Sequence, residues 1–362
     1  MSFSPGQPLS ILAWPATTPA NRYCHALYAN MDGAQVEDFK PGWRMLWKVL
    51  RKRYDIFHIH WLERAFWRVG SLAIIRAVVV TLATAALVKI RGGAVVWTAH
   101  DPTPHQMGSN AFVRAGFSAW LWKTYSALLT RMLDGVILLT GIHRDLLIAD
   151  RSYLRTRPMT VTPHPHFKGV YANAISREEA RERLALPADA TVLLLLGAIR
   201  PYKNAEGLIE TFRDLPDPGL RLMIAGKPES EGYAAELRAL AADDNRIDFH
   251  FGFVADDDLQ AYLNASDAVV IPFRNATNSG SVALALSFAR PVVVPDMPVF
   301  REVQEVVGDL WIRLMPNGLN PAELRAGVDW IGKERPATPD LDKLDWPNIA
   351  AKTLAFFRAV HA

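Results

Sequence analysis

Thr191-Val-Leu-Leu-Leu-Leu-Gly-Ala-Ile-Arg-Pro-Tyr-Lys-Asn204 is a strongly apolar run that stops at a glycine and passes straight into two cations. A six-residue run of this kind suits a strand covered on both faces. A helix-like stretch, Glu206–Asp214, follows, and then a second strand-like run, Leu220–Ala225. Strand, loop, helix and strand at this spacing predict a βαβ unit in a parallel sheet. The same alternation runs outward in both directions. Downstream, Arg246–Phe249, Ala268–Ile271 and Pro291–Val294 read as strands, separated by helices over Ala234–Ala242, Asp256–Asn264 and Ser281–Ala289. Upstream, Leu9–Trp14, Ile56–Ile59, Ala94–Thr98 and Gly135–Leu139 read as strands. Ser176-Arg-Glu-Glu179 has the capping-box pattern and should open a helix.

With 362 residues, half of them hydrophobic and 21% charged, the chain can bury two cores and is not disordered. Charge divides unevenly. Residues 1–170 hold 20 Lys and Arg against 9 Asp and Glu, whereas residues 171–362 hold 20 against 28. A change of charge balance near 165–190 sets a boundary: a first domain over 1–170, a second over 171–345, and an amphipathic C-terminal helix over 346–362 that packs back on the first. The basic first half suits an anionic partner. Nucleic acid is not expected, because no binding motif is recognisable and the second half is acidic. A single cysteine, Cys24, excludes a disulfide framework and a Cys-rich metal site, and fits the cytosol. The opening residues lack the basic region of a signal peptide.

Two stretches of the first half have a membrane-like composition. Trp43-Arg-Met-Leu-Trp-Lys-Val-Leu-Arg-Lys-Arg53 carries five cations beside aromatics and aliphatics, which on a helix gives an apolar stripe with a basic rim. The alternative is an ordinary core-facing helix with solvated cations. Val69–Val88 is long enough to span a bilayer, but Arg76 lies within it. A buried domain helix or a surface-inserted one accommodates that charge better.

Four clusters can carry chemistry. Strand Ile56–Ile59 delivers His58, His60, Trp61 and Glu63 to its carboxyl edge, where open α/β sheets bind ligands. Period-two alternation puts His58 and His60 on one face. Strand Ala94–Thr98 runs into His100 and Asp101, and His105 follows a proline-stiffened loop. Glu63 and Asp101 are the candidate bases for a hydroxyl proton, and His100, which beside a carboxylate could also take one, is read first as a contact to the donor sugar; His60 is a candidate substrate contact. Gly197 allows close backbone approach, and Arg200 and Lys203 beyond it suit a diphosphate. Asn278, Ser279, Gly280 and Ser281 open a helix whose N-terminus suits phosphate. Each cluster also has a plain structural reading: core histidines, a capped turn, surface ion pairs and an ordinary N-cap.

Taken in order, these segments resemble bacterial exopolysaccharide glycosyltransferases of the xanthan β-1,4-mannosyltransferase type. The residues that carry the resemblance are His60-Trp-Leu-Glu63, Thr98-Ala-His-Asp-Pro-Thr-Pro-His105, the turn Pro163-His-Pro-His-Phe167, Gly197-Ala-Ile-Arg-Pro-Tyr-Lys203, and Asn278–Ser281 with Ala289-Arg-Pro-Val-Val293. The resemblance implies a GT-B fold, α/β with two Rossmann-like domains facing each other across a cleft. It implies an acceptor site on the first domain, a nucleotide-sugar site on the second, and His105, His164 and His166 as further acceptor or sugar contacts. GDP-mannose is the implied donor and a polyprenyl-diphosphate-linked oligosaccharide the implied acceptor, in exopolysaccharide synthesis at the cytoplasmic face of the inner membrane. No other cofactor is expected, and no metal, since no DxD motif stands near the donor segment. The E-x7-E pair of retaining relatives is absent, with Ala276 and Leu284 at the corresponding positions, so transfer is expected to invert the anomeric carbon. The rivals are a UDP-glucose or UDP-glucuronic acid transferase of the same fold, and a non-catalytic subunit that only binds.

Overall fold

The computed structural model describes residues 7–18, 22–68, 70–101, 117–276 and 280–362. Two compact units emerge, Met1–Pro165 with Leu344–Ala362, and His166–Lys343. Each is built on a six-stranded, fully parallel sheet.

In the first unit the strands are β1 (Leu9–Trp14), β2 (Ala34–Asp38), β3 (Ile56–Ile59), β4 (Ala94–Ala99), β5 (Gly135–Leu138) and β6 (Met159–Val161), in the order β2-β1-β3-β4-β5-β6. The connecting helices are α1 (Tyr23–Ala29), α2 (Trp43–Arg51), α3 (Ser71–Ile90), α4 (Phe117–Arg131) and α5 (Ile142–Asp150). The central strands β3, β4 and β5 are buried along their whole length, and their sequences are apolar apart from His58 in β3 and Thr98 in β4, which bond each other. Edge strand β2 is not, and its sequence Ala-Gln-Val-Glu-Asp carries no such run.

The second unit has β7 (Thr191–Leu196), β8 (Leu220–Gly226), β9 (Ile247–Phe251), β10 (Ala268–Val270), β11 (Val292–Pro295) and β12 (Ile312–Met315), ordered β12-β11-β10-β7-β8-β9. Between them lie α6 (Arg177–Arg183), α7 (Ala205–Arg213), α8 (Glu231–Ala241), α9 (Leu259–Ala265), α10 (Gly280–Ser287), α11 (Pro298–Val307) and α12 (Pro321–Ile331). The capping box forms: Ser176 Oγ accepts from Glu179 N, and the Glu179 carboxylate accepts from Ser176 N.

The chain returns to the first unit through α13 (Trp346–His361). Phe357 is fully buried against the His58 ring, Trp346 packs edge-on to Tyr23, and Phe356 lies over Gly135. A Cβ at Gly135 would come within 2.7 Å of the Phe356 ring. Gly135→Ala should therefore overpack this seam and destabilise the first unit by about 1–3 kcal/mol, measured as a lower denaturation midpoint at unchanged m-value.

Both sheets have a switch point, where the chain leaves a central strand first to one side and later to the other. In the first unit it lies between β1 and β3, in the second between β7 and β10. The carboxyl ends of strands at such points are where open α/β sheets take ligands.

Candidate functional site

At the first switch point three strand ends and α1 converge. His58 and His60 share one face, as period-two alternation requires, and both bond the Tyr28 hydroxyl, at 2.7 and 2.8 Å. His58 Nε2 reaches Thr98 Oγ1 at 2.7 Å, and His60 Nδ1 reaches His100 Nε2 at 3.0 Å. Tyr23 is the aromatic centre of the group, edge-on to His60, His100 and His164 at 5.9, 4.8 and 5.3 Å between centroids. Trp61 stacks on His100 at 4.4 Å with ring planes 15° apart.

These imidazoles are neutral because burial disfavours their charged form. It pushes His58 down to about 3 and His164 to about 4, and carries His60 and His100 well below the usual histidine range. His164 Nδ1 donates to the Pro165 carbonyl at 2.8 Å. None of the four is therefore poised to hold a proton near neutral pH.

Glu63 behaves differently. It lies in the 3-10 turn Leu62–Phe66 that follows β3. Burial pushes its carboxyl up to about 7, and the nearby Asp101 charge adds to the rise. A carboxyl tuned to this range is suited to general base work. Asp101 follows β4. His105 lies outside the described residues.

At the second switch point Gly197 follows β7 at φ +106, and Gly226 ends β8 at φ +142. The two backbones touch: a Cβ on Gly226 would lie 2.0 Å from the Gly197 carbonyl oxygen. Gly197 N and Ile199 N then bond Ala225 O and Lys227 O, each at 2.9 Å, holding the Gly197–Lys203 loop against β8. Gly226→Ala is expected to push this loop off β8 and to destabilise the second unit by about 2 kcal/mol or more. Chemical denaturation checks this, and Gly219→Ala, whose Cβ would meet only Asp217 Oδ1 at 3.4 Å, provides the mild comparison.

The loops after β7 and β10 meet across the switch point. Arg274 N bonds Tyr202 O at 2.9 Å, and the Tyr202 and Phe273 rings pack edge-on at 5.5 Å. The Lys203 ammonium lies over the Phe273 ring, 5.3 Å from its centroid, and points at the Leu196 carbonyl. Burial, then the neighbouring Arg200 charge, pull Lys203 down to about 8. Among the described residues neither Arg200 nor Lys203 enters an ion pair, so two cations stand beside a glycine turn without a counter-charge. Gly280 and Ser281 form the first turn of α10, which follows β10. Asn278 and Ser279 lie outside the described residues. His166 falls in the second unit, where its Nδ1 accepts from Lys168 N at 3.2 Å. Among the described residues no group of three or more His, Cys, Asp and Glu is arranged to hold a metal.

Tyr28, Tyr23, Thr98 and Phe273 are absent from the sequence-based site. Thr98 reads as strand filler inside an apolar run, and Tyr28 reaches His58 only because α1 folds back over the sheet.

Residues 176–337, nearly all of the second unit, match the family described as Glycosyl transferases group 1. The GDP-mannose:glycolipid 4-beta-D-mannosyltransferase of Xanthomonas campestris pv. campestris is 29% identical over 337 residues, covering 91% of this chain and 85% of that protein. A D-inositol 3-phosphate glycosyltransferase of Kineococcus radiotolerans is 36% identical, but over only 34% of this chain. Among solved structures, Anabaena Alr3699/HepE in complex with UDP superposes with a TM-score of 0.62 at 16% identity, covering 98% of this chain and 97% of that one. A glycosyltransferase from Rickettsia africae gives a TM-score of 0.66 at 11% identity over 98% of both chains. Two Rossmann-like units on parallel six-stranded sheets, with such neighbours, define the GT-B fold. The chain has the GT-B fold, and nearly all of its second unit matches the Glycosyl transferases group 1 family.

Proposed function

We propose that this enzyme transfers mannose from GDP-mannose to a glycolipid, a lipid-diphosphate-linked oligosaccharide of exopolysaccharide synthesis, with inversion at the anomeric carbon. The observation that carries the reading is the extent of likeness to the Xanthomonas mannosyltransferase, which runs over 91% of the chain and so takes in the first unit as well as the second.

The chemistry is a single displacement. Glu63 takes the proton from an acceptor hydroxyl as its oxygen attacks the anomeric carbon. The bond from that carbon to the phosphate oxygen breaks, and the nucleoside diphosphate leaves. Its growing charge is met by Arg200, Lys203 and the N-terminal turn of α10, an electrostatic role. Asp101 raises the proton affinity of Glu63 and is the second-ranked base. The absence of a glutamate at Ala276 and Leu284 supports inversion, because no carboxylate occupies either position. No metal is assigned to the reaction.

The enzyme works at the cytoplasmic membrane face as a peripheral or monotopic protein. Trp43, Trp47 and Leu50 stand at i, i+4 and i+7 on α2 and are 56%, 62% and 47% exposed, so this stripe does not serve the core. Leu72 on α3 is 84% exposed. A groove of about 700 Å³ between the helices is lined by Trp43, Leu72, Ile75 and Val79, with Arg76 beside them. Between residues 41 and 91 the sequence holds ten Lys and Arg against two Asp and Glu. α3 is 20 residues long and apolar enough to cross a bilayer, yet 44% of its apolar window is buried in the unit. A helix so engaged lies at the surface rather than spanning.

Purified enzyme should float with vesicles containing anionic lipid, and high salt should weaken the association. Trp43→Ala and Trp47→Ala should each lower partitioning about tenfold or more, from the loss of one interfacial aromatic. Extraction by detergent alone would indicate a span instead. The donor is tested by mass-spectrometric screening of nucleotide-sugar turnover with a lipid-diphosphate acceptor. GDP-mannose consumption and an inverted product support the reading; preference for UDP-glucose or UDP-glucuronic acid reassigns the donor, and turnover of none of them points to a binding subunit.

A further inference from the structure

The chain Thr98–His58–Tyr28–His60–His100, part-buried at Tyr28 and buried at its four other members, contains five side chains and four hydrogen bonds in series. A neutral imidazole brings one N–H and one lone pair, on opposite sides of the ring, and a hydroxyl brings one proton. All four bonds can then be satisfied in three ways. Every donor points toward His100, or every donor points toward Thr98, or His58 and His60 both donate to the two lone pairs of Tyr28, whose own proton is then left with no acceptor among the described residues. That last arrangement is set aside for the unpaired proton, and with Tyr28 donating the direction of one bond sets the other three: if Tyr28 donates to His60, His58 must donate to Tyr28, and Thr98 must donate to His58.

The Thr98 end breaks the tie. Thr98 is 1% exposed, and among the described residues the only hydrogen-bond partner of its hydroxyl is His58. In the arrangement that points toward Thr98, His58 Nε2–H donates to Thr98 Oγ1, and the threonine proton is left in the interior with no acceptor. A buried donor without a partner is disfavoured. In the other arrangement Thr98 donates to His58 Nε2, His58 Nδ1–H to Tyr28, Tyr28 O–H to His60 Nε2, and His60 Nδ1–H to His100 Nε2. His100 Nε2 is then an acceptor, so the ring carries its proton on Nδ1.

We propose that Thr98, acting through His58, Tyr28 and His60, fixes His100 in the Nδ1–H tautomer, so that His100 enters the transfer as a neutral hydrogen-bond donor to a sugar oxygen and not as its base. Thr98 and Tyr28 are positioning residues; neither touches substrate. The inference rests on the sugar-transfer reading of this sheet edge for what His100 donates to, but not for the tautomer itself. It also explains why four histidines share a site with one raised carboxyl. The imidazoles form a proton-ordered donor array, and proton removal is left to Glu63.

The test uses the full chain with ¹⁵N-labelled histidine, with His100 assigned by the signals lost in His100→Gln. Long-range ¹H–¹⁵N spectra report which ring nitrogen carries the proton. The wild type should show His100 protonated at Nδ1 and bare at Nε2. Thr98→Val and Tyr28→Phe should each give a mixture of tautomers or the Nε2–H form, and Thr98→Ser, which keeps the hydroxyl, should restore the wild-type pattern. In steady-state assays Thr98→Val and Tyr28→Phe should lower kcat about tenfold with donor KM little changed, with recovery in Thr98→Ser. Loss of fold would lower the serine and valine variants without regard to the hydroxyl. An Nε2–H tautomer in the wild type, or an unaltered tautomer in both Thr98→Val and Tyr28→Phe, overturns the proposal. A tautomer released in those variants with unchanged kcat overturns the donor role of His100. A wild-type chain with the fixed tautomer and no transferase activity supports the tautomer assignment and counts against the transfer reading alone.

Discussion

Glu63→Gln should lower turnover by about 10²–10⁴-fold while leaving donor affinity near wild type, because the change keeps shape and removes basicity. The pH profile gives an independent check. Burial holds the Glu63 proton up to about 7, so the ionised, basic form accumulates only above that value. Wild-type kcat/KM should rise with pH through about 7 and then level, and the residual activity of Glu63→Gln should lack that limb. Stability should run the opposite way. The native carboxyl binds its proton more tightly than the unfolded chain does, whose value stays in the ordinary carboxylate range. The fold therefore loses stability as pH rises from the ordinary range through about 7. Gln at this position removes the loss, so the variant should gain in melting temperature relative to wild type by more at pH 8 than at pH 5. Near-normal turnover in Glu63→Gln would move the base role to Asp101, and a rising limb retained in the variant would do the same.

What could be read from the sequence divides along physical lines. The central strands β3, β4 and β7 were legible because a strand covered on both faces is largely apolar, with His58 inside β3 and Thr98 inside β4 as exceptions, and their ends were legible because His60, His100 and Gly197 interrupt those runs. Three strands were not: Ala34–Asp38, Met159–Val161 and Ile312–Met315. Each is an edge strand with a partly exposed face, and Gln35, Glu37, Asp38, Thr160 and Arg313 break the apolar signal. The stripe Trp43, Trp47, Leu50 was visible as periodicity, but periodicity does not tell which medium the stripe faces; only the exposure of the folded unit does. In the site, alternation paired His58 with His60, but it could not supply Tyr28, which lies 30 residues earlier on a different element. Nor could it supply Phe273, which meets Lys203 because β10 is inserted beside β7 in the sheet.

Arg200→Ala and Lys203→Ala should each weaken nucleotide-sugar binding by about one to two orders of magnitude, the value of a charge-assisted bond to phosphate at about 1.5–3 kcal/mol. Calorimetric titration of folded variants measures this, and unchanged affinity in both would remove the assignment. The two losses should not simply add, since the cations neighbour one another and share one buried setting. Their coupling also has a pH signature. Lys203 sits at about 8 because burial, and then the Arg200 charge, disfavour its protonated form. Phosphate binds that protonated form, so donor affinity should fall as pH rises past 8. In Arg200→Ala the like charge is gone, and the onset of that fall should move to higher pH even though affinity at neutral pH is lower. The fold responds with the opposite sign. It favours neutral Lys203, so stability rises with pH from about 8 toward the ordinary lysine value, and Lys203→Met should abolish that rise. A nucleotide diphosphate supplies the counter-charge that Arg200 and Lys203 lack among the described residues. Its binding should therefore take up protons above pH 8, measurable as a buffer-dependent binding enthalpy, and no uptake would mean that the diphosphate contacts some other part of the second unit.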